Sequence, residues 1–203
     1  MQGLIFIPDI SGFTQFVKSI DMKLGVSITK ALLNEIIESN PLELEISEIE
    51  GDAILFYRIG KPIPIATVFA AFKMMHEAFE AKLKYLRKKF SIEAKLSLKF
   101  IMHYGKMTMY NLKGFRKLYG QSIIESHRLL KNGADKSSYI LITEDYIKAL
   151  HEEGSDLYLF DQFKFDAYTS QMFSDLREIS YIFFNYFPAG KQHLQLAGAN
   201  VRA

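Results

Sequence analysis

Two aspartates occupy positions where the sequence pattern places the ends of strands. Asp9 follows the short apolar run Leu4-Ile5-Phe6-Ile7 and Pro8, and Asp52 follows Glu50-Gly51 in a turn. Carboxylates brought together at a sheet edge can share hard divalent cations, because Mg²⁺ takes oxygen ligands and is commonly held by one or two carboxylates plus substrate phosphates. Spacing alone leaves a second account open, in which both are turn aspartates whose side chains bond the local backbone.

The elements that would position them follow from periodicity. Leu4–Ile7 is short and β-rich, so it reads as a buried strand that ends at Pro8 and leaves Asp9 just beyond it. Phe13, Phe16, Val17 and Ile20 then take helical spacing, with Ser11 or a neighbour as the cap, and a second helix covers about Ser27 to Glu38. Leu42, Leu44 and Ile46 alternate with Glu43, Glu45 and Ser47, and a turn at Glu50-Gly51 leads into Ala53–Tyr57, which predicts a hairpin with Asp52 near its turn. Continuing that alternation puts Glu48 on the face of Ile46, an expensive place for a carboxylate unless it is paired or lines a cleft.

From Ile65 to Phe90, apolar residues recur at three- and four-residue steps, giving one long amphipathic helix. A strand through Leu96, Leu98, Phe100 and Met102 runs towards His103 and Gly105, and an extended segment follows at about Lys106–Leu112. After Gly120 the pattern is helical to about Leu130, with Gly133 as terminator, and strands are expected around Tyr139–Ile142, Leu157–Phe160 and Ile179–Phe184. The order strand, two helices, hairpin, long helix, strand is that of an α+β, ferredoxin-like βααββαβ sheet with helices on one face.

Composition narrows the function. The 203 residues, 49% hydrophobic and 24% charged, suit one domain, expected over 1–187, with an Ala-, Gly- and Gln-rich mobile tail over 188–203. Net charge is +2, with 25 basic and 23 acidic residues interspersed, which argues against nucleic acid as a partner. The apolar runs are far shorter than the roughly 20 residues of a membrane span. No leader pattern precedes Ile5 and cysteine is absent, which removes thiolate chemistry and points to the cytoplasm. His103 reads as a structural strand-end residue, while His76, His151 and His193 have no partner at metal-ligand spacing.

Four segments carry a resemblance. Phe6-Ile7-Pro8-Asp9-Ile10-Ser11-Gly12-Phe13-Thr14 resembles the first metal motif of class III adenylate and guanylate cyclases, and Glu50-Gly51-Asp52-Ala53 resembles the second. His103-Tyr104-Gly105-Lys106 looks like their His-x-Gly strand end, and Tyr119-Gly120 with Arg128 looks like their glycine turn and following helix. The matches fall in the family's order between Ile5 and Ile142, and Arg128-Leu129-Leu130-Lys131-Asn132 looks like a run in a group of uncharacterised bacterial relatives of the cyclases.

The resemblance implies that Asp9, Asp52 and the carbonyl of Ile10 hold two Mg²⁺ or Mn²⁺ ions, one activating the ribose 3′-hydroxyl and one clamping a triphosphate. It implies phosphate binding by the backbone N–H groups of Gly12, Phe13 and Thr14, where a helix start presents donors and partial positive charge. It also implies a head-to-tail homodimer that shares two sites.

The chain departs from that pattern on the helix after Gly120, where the cyclases carry an Asn four residues before the Arg. Here Ile124 precedes Arg128, so the arginine can steady the transferred phosphoryl but no amide holds the ribose. Loss of one such donor costs on the order of 10²–10³ in rate. Lys164 is the nearest candidate for the family's triphosphate lysine. At the base-reading positions stand Glu48 and Lys117; the first could accept from guanine N1–H and N2–H₂ and the second donate to O6, or the two could form a structural ion pair. These residues predict a divergent cyclase-homology domain that binds metal and a purine nucleotide, GTP before ATP, with weak or no turnover. The alternative is a working cyclase that makes cyclic GMP or cyclic AMP and pyrophosphate.

Overall fold

The computed structural model describes residues 1–132, 138–154, 169–172, 176–185 and 195–196. Strand β1 (Gln2–Ser11) lies near the middle of the main sheet and is buried from Gly3 to Ile10. It does not stop at Pro8. Strand β4 (Ser97–Lys106) pairs with it along its whole length, from Gln2 opposite Lys106 to Ser11 opposite Ser97. The ladder to β3 (Ala53–Ile59) skips Ile7 and Pro8, so the missing proline N–H is tolerated there and Asp9 falls inside the strand.

With β2 (Glu45–Glu50) beyond β3, the order β4-β1-β3-β2 is antiparallel throughout, the ferredoxin-like arrangement that the element order predicts. The sheet extends past β4 through β7 (Tyr139–Thr143), parallel to it, and then β9 (Glu178–Asn185), antiparallel to β7. Two short strands, β8 (Thr169–Met172) and β10 (Gln195–Leu196), pair with β9. The expected strand at Leu157–Phe160, Gly133, Lys164 and most of the expected tail lie outside the described residues.

Helices cover both faces, where the pattern predicts one. Leu4, Phe6, Ile10, Phe56 and Phe100 share a core with α2 (Met22–Glu38), α3 (Ile65–Phe90) and α5 (Glu144–Glu152). Phe6 stacks on Phe100 with centroids 5.6 Å apart, and Phe72 of α3 lies 4.9 Å from Phe100. Buried aromatic and aliphatic side chains of this kind each contribute about 1.5–3 kcal/mol. Ile5, Ile7, Leu55, Tyr57 and Ile101 face the other way, against Ile123 and Leu129 of α4 (Gln121–Leu129).

Asp21 caps α2, its Oδ1 accepting from the N–H groups of Lys23 and Leu24 at 3.0 and 3.1 Å, so that helix starts five residues before the periodicity predicts. The segment expected to be extended near Lys106–Leu112 is one arm of a hairpin, β5 (Thr108–Leu112) and β6 (Phe115–Tyr119). Lys113 and Gly114 turn it with φ of 49° and 86°.

Candidate metal and nucleotide site

On the sheet face that α4 covers, β1 sets Asp9 opposite Lys99 of β4 on one side and Ala53 of β3 on the other. The Ile10 N–H donates to the Asp52 carbonyl at 3.2 Å, which ties the hairpin turn to β1 and sets the Asp52 carboxyl within the field of Asp9. Burial and the negative charge of Asp9 push Asp52 up to about 7. Lys99 Nζ lies 2.8 Å from Asp9 Oδ2, and the lysine side chain is only 18% exposed. Burial works against its charge, yet the hydrogen bond to Asp9 and the fields of Asp9 and Asp52 raise its pKa overall.

These are oxygen donors suited to a hard cation, and their mutual repulsion is what a divalent ion would relieve. Asp9, Asp52 and the Ile10 carbonyl could hold one; among the described residues no third His, Asp or Glu joins them in a metal-type cluster. Lys99 escaped the sequence reading, although the alternation of Leu98 and Phe100 already turned it to the opposite face with Ile101 and His103.

Gly12, rather than Ser11, is the N-cap of α1 (Phe13–Ser19), at φ 84° and without a side-chain cap. A Cβ there would lie 2.3 Å from the Lys95 carbonyl oxygen, so glycine alone fits. The first helical bond runs from the Phe16 N–H to the Gly12 carbonyl at 3.0 Å, which leaves the amides of Phe13 and Thr14 without intrahelical acceptors.

Glu48 is on the opposite face from the one its alternation predicts. Between Ile46, opposite Phe56, and Glu48, opposite Leu55, the register shifts and Ser47 becomes an extra residue. This bulge turns Glu48 towards α4 and β6, where Lys117 Nζ meets its Oε2 at 2.8 Å and His127 Nε2 meets its Oε1 at 3.1 Å. Burial opposes the Glu48 charge, but the lysine and histidine hold its pKa below the usual value. The two proposed base-reading residues are therefore an ion pair within one chain.

Ile124 and Arg128 share the outward stripe of α4, with Ile124 half exposed. Glu125 faces inward and is otherwise engaged. His103 Nε2 lies 3.0 Å from its Oε2, and Arg177 bonds both of its oxygens, at 2.7 and 3.0 Å. Burial would raise the Glu125 pKa, but His103, Arg177 and Gln121 bring it down to about 2. The other His103 nitrogen pairs with Thr143 Oγ1 at 2.9 Å, and Arg177 reaches on to Asp145 at 2.8 Å. His103 is thus buried between Glu125 and Thr143, and a polar cavity of about 340 Å³ opens beside it. Nothing in the sequence pattern signalled Arg177 as the link between α4 and α5.

The fold is similar to that of solved nucleotidyl cyclase domains. The guanylyl cyclase Cya2 is similar over 97% of this chain and 98% of its own, with a TM-score of 0.68 and 14% identity. A class III adenylyl cyclase-like ATP-binding protein from Pseudomonas aeruginosa is similar over 89% of this chain and 38% of its own, with a TM-score of 0.60 and 16% identity. The chain belongs to the family described as protein of unknown function DUF2652, which matches residues 29–139. It is 27% identical over 116 residues to the uncharacterized protein Rv2561/Rv2562 of Mycobacterium tuberculosis, and that match spans about half, 54%, of each chain. Among the described residues no helix is long and apolar enough to cross a membrane.

Proposed function

We propose that this domain binds Mg²⁺ or Mn²⁺ and a purine nucleoside triphosphate, GTP before ATP, with weak or no cyclising turnover. The observation that carries this reading is the placement of the half-buried Asp52 carboxyl beside the buried Asp9, held there at an electrostatic cost to both. When bound, two divalent ions would polarise the hydroxyl and phosphate oxygens, with Asp9, Asp52 and the Ile10 carbonyl as their protein ligands. The amides of Gly12, Phe13 and Thr14 would take phosphate. Glu48 would accept from guanine N1–H and N2–H₂ while Lys117 donates to O6.

Turnover is the weaker part of the reading because Ile124 offers no hydrogen bond where the ribose needs one, and Glu125 and His127 are committed elsewhere. That a cyclase-like fold can serve nucleotide binding is supported by the ATP-binding protein of Pseudomonas aeruginosa. The outward Arg128 favours the second reading, a working cyclase of low rate. Exposed Tyr110, Leu112, Phe115 and Tyr119 offer an apolar surface for the second copy of a head-to-tail dimer. We place the domain, taken as residues 1–187, in the cytoplasm on its lack of cysteine.

The test is to incubate purified protein with GTP or ATP and Mn²⁺, and to follow nucleotide binding by calorimetry and product by chromatography beside Asp9→Ala. Bound nucleotide without product, lost in the variant, supports the proposal. A cyclic nucleotide that disappears in the variant establishes the working cyclase, and equal binding by both proteins overturns the site.

A further inference from the structure

We infer that the Lys99 ammonium is a built-in competitor for the metal, seated on the Asp9 carboxylate where a divalent cation would bind, so that the ion enters only when the lysine leaves. The inference rests on the carboxylate pair being the metal site proposed above.

Geometry carries it. Asp9 and Lys99 are directly opposite in the β1–β4 ladder, so the contact is fixed by sheet register and not by a chance surface rotamer. The Nζ–Oδ2 distance of 2.8 Å leaves no space for an ion between them. Both groups are largely withdrawn from water, with the lysine side chain 18% exposed, whereas the surface pair Lys61–Glu153 has a lysine 80% exposed. Exposed pairs of that kind exchange freely with solvent and hold little energy, while a shielded pair keeps its partner and repels a second cation strongly. Lysine suits such a role because a compact charge on a flexible stem can swing away without disturbing the strand.

The experiment titrates MnCl₂ alone, without nucleotide, into the native protein and the Lys99→Gln, Lys99→Met and Lys99→Arg variants, by calorimetry and by Mn²⁺ electron paramagnetic resonance. Glutamine can still donate a hydrogen bond to Asp9, so that variant keeps the local fold if methionine does not. The neutral variants are expected to bind Mn²⁺ at least tenfold more tightly than the native protein, with arginine close to native. Equal affinity in the native and neutral proteins overturns the competition and leaves the metal site standing. Weaker binding in the neutral variants also overturns it, by making Lys99 an aid to the ion. If no protein binds Mn²⁺, the metal reading fails and takes the competition with it.

Discussion

His103 and Glu125 meet at 3.0 Å, Nε2 to Oε2, with only 1% and 2% of their surfaces exposed. This contact pins the inner face of α4 to the end of β4, and Arg177 closes it from the other side while reaching Asp145 of α5. This buried knot fixes the rotation of α4, and with Glu125 held inward the stripe that carries Ile124 and Arg128, four residues apart, is exposed.

Glu125→Ala removes the acceptor shared by Arg177 and Gln121 and the carboxylate that faces His103 Nε2. Breaking a buried pair from one side costs about 3–5 kcal/mol; with Arg177 partly in solvent, about 2–3 kcal/mol is expected. Urea unfolding of the two proteins measures it, and a loss below about 1 kcal/mol would show that the knot is loose.

Acid should undo the same contact. The Glu125 pKa is about 2 in the folded protein against 4.5 unperturbed, so the unfolded chain takes up a proton first as pH falls. The stabilisation is complete above about pH 4.5 and is lost as pH drops towards about 2. A melting temperature that falls more steeply between these limits in the native protein than in Glu125→Gln is the expected result.

Asp52→Asn relieves the repulsion with Asp9. At neutral pH without metal it is expected to stabilise the protein by about 1 kcal/mol, or about 2–4 °C in melting temperature for a chain of this size. Its stabilisation by Mn²⁺ should disappear. Calorimetric melts with and without Mn²⁺ read both effects, and a destabilised variant would mean that the pair is not strained.

Much of this architecture was legible in the chain because it rests on periodicity. The helix Ile65–Phe90 and strand β3 are near-complete apolar patterns, whereas β2 begins at Glu45, beyond the Leu42–Leu44 alternation that predicts it, and the order of elements gave the ferredoxin-like core. What escaped depends on contacts between distant segments. Pro8 suggested a strand end, but the pairing with β4 carried β1 past it, and α5 hid because its buried face is only Tyr146, Ala149 and Leu150. In the candidate site the acidic pair was legible and its lysine was not, since cross-strand register, not spacing along the chain, makes Lys99 the neighbour of Asp9.

Gly12→Ala tests the turn that opens α1. With φ at 84° and the new Cβ 2.3 Å from the Lys95 carbonyl, the backbone must shift. A loss of about 1–3 kcal/mol in unfolding free energy is expected, together with weaker nucleotide binding.

Ile124→Asn restores a hydrogen-bonding side chain on the outward stripe of α4 at little cost to folding, since Ile124 is half exposed. Cyclic product from GTP and Mn²⁺ should rise on the order of 10²-fold, the scale of one positioned donor. No gain would mean that more than this residue separates the domain from turnover.

The extra residue in β2 has a consequence for how this chain can change length. Because Ile46 is opposite Phe56 and Glu48 is opposite Leu55, removing Ser47 would leave every cross-strand neighbour in place and simply straighten the ribbon. One-residue deletions elsewhere in a strand invert the side chains beyond them. Here the sheet holds a spare, so homologous sequences can be one residue shorter at this point and still aim an acidic side chain at Lys117.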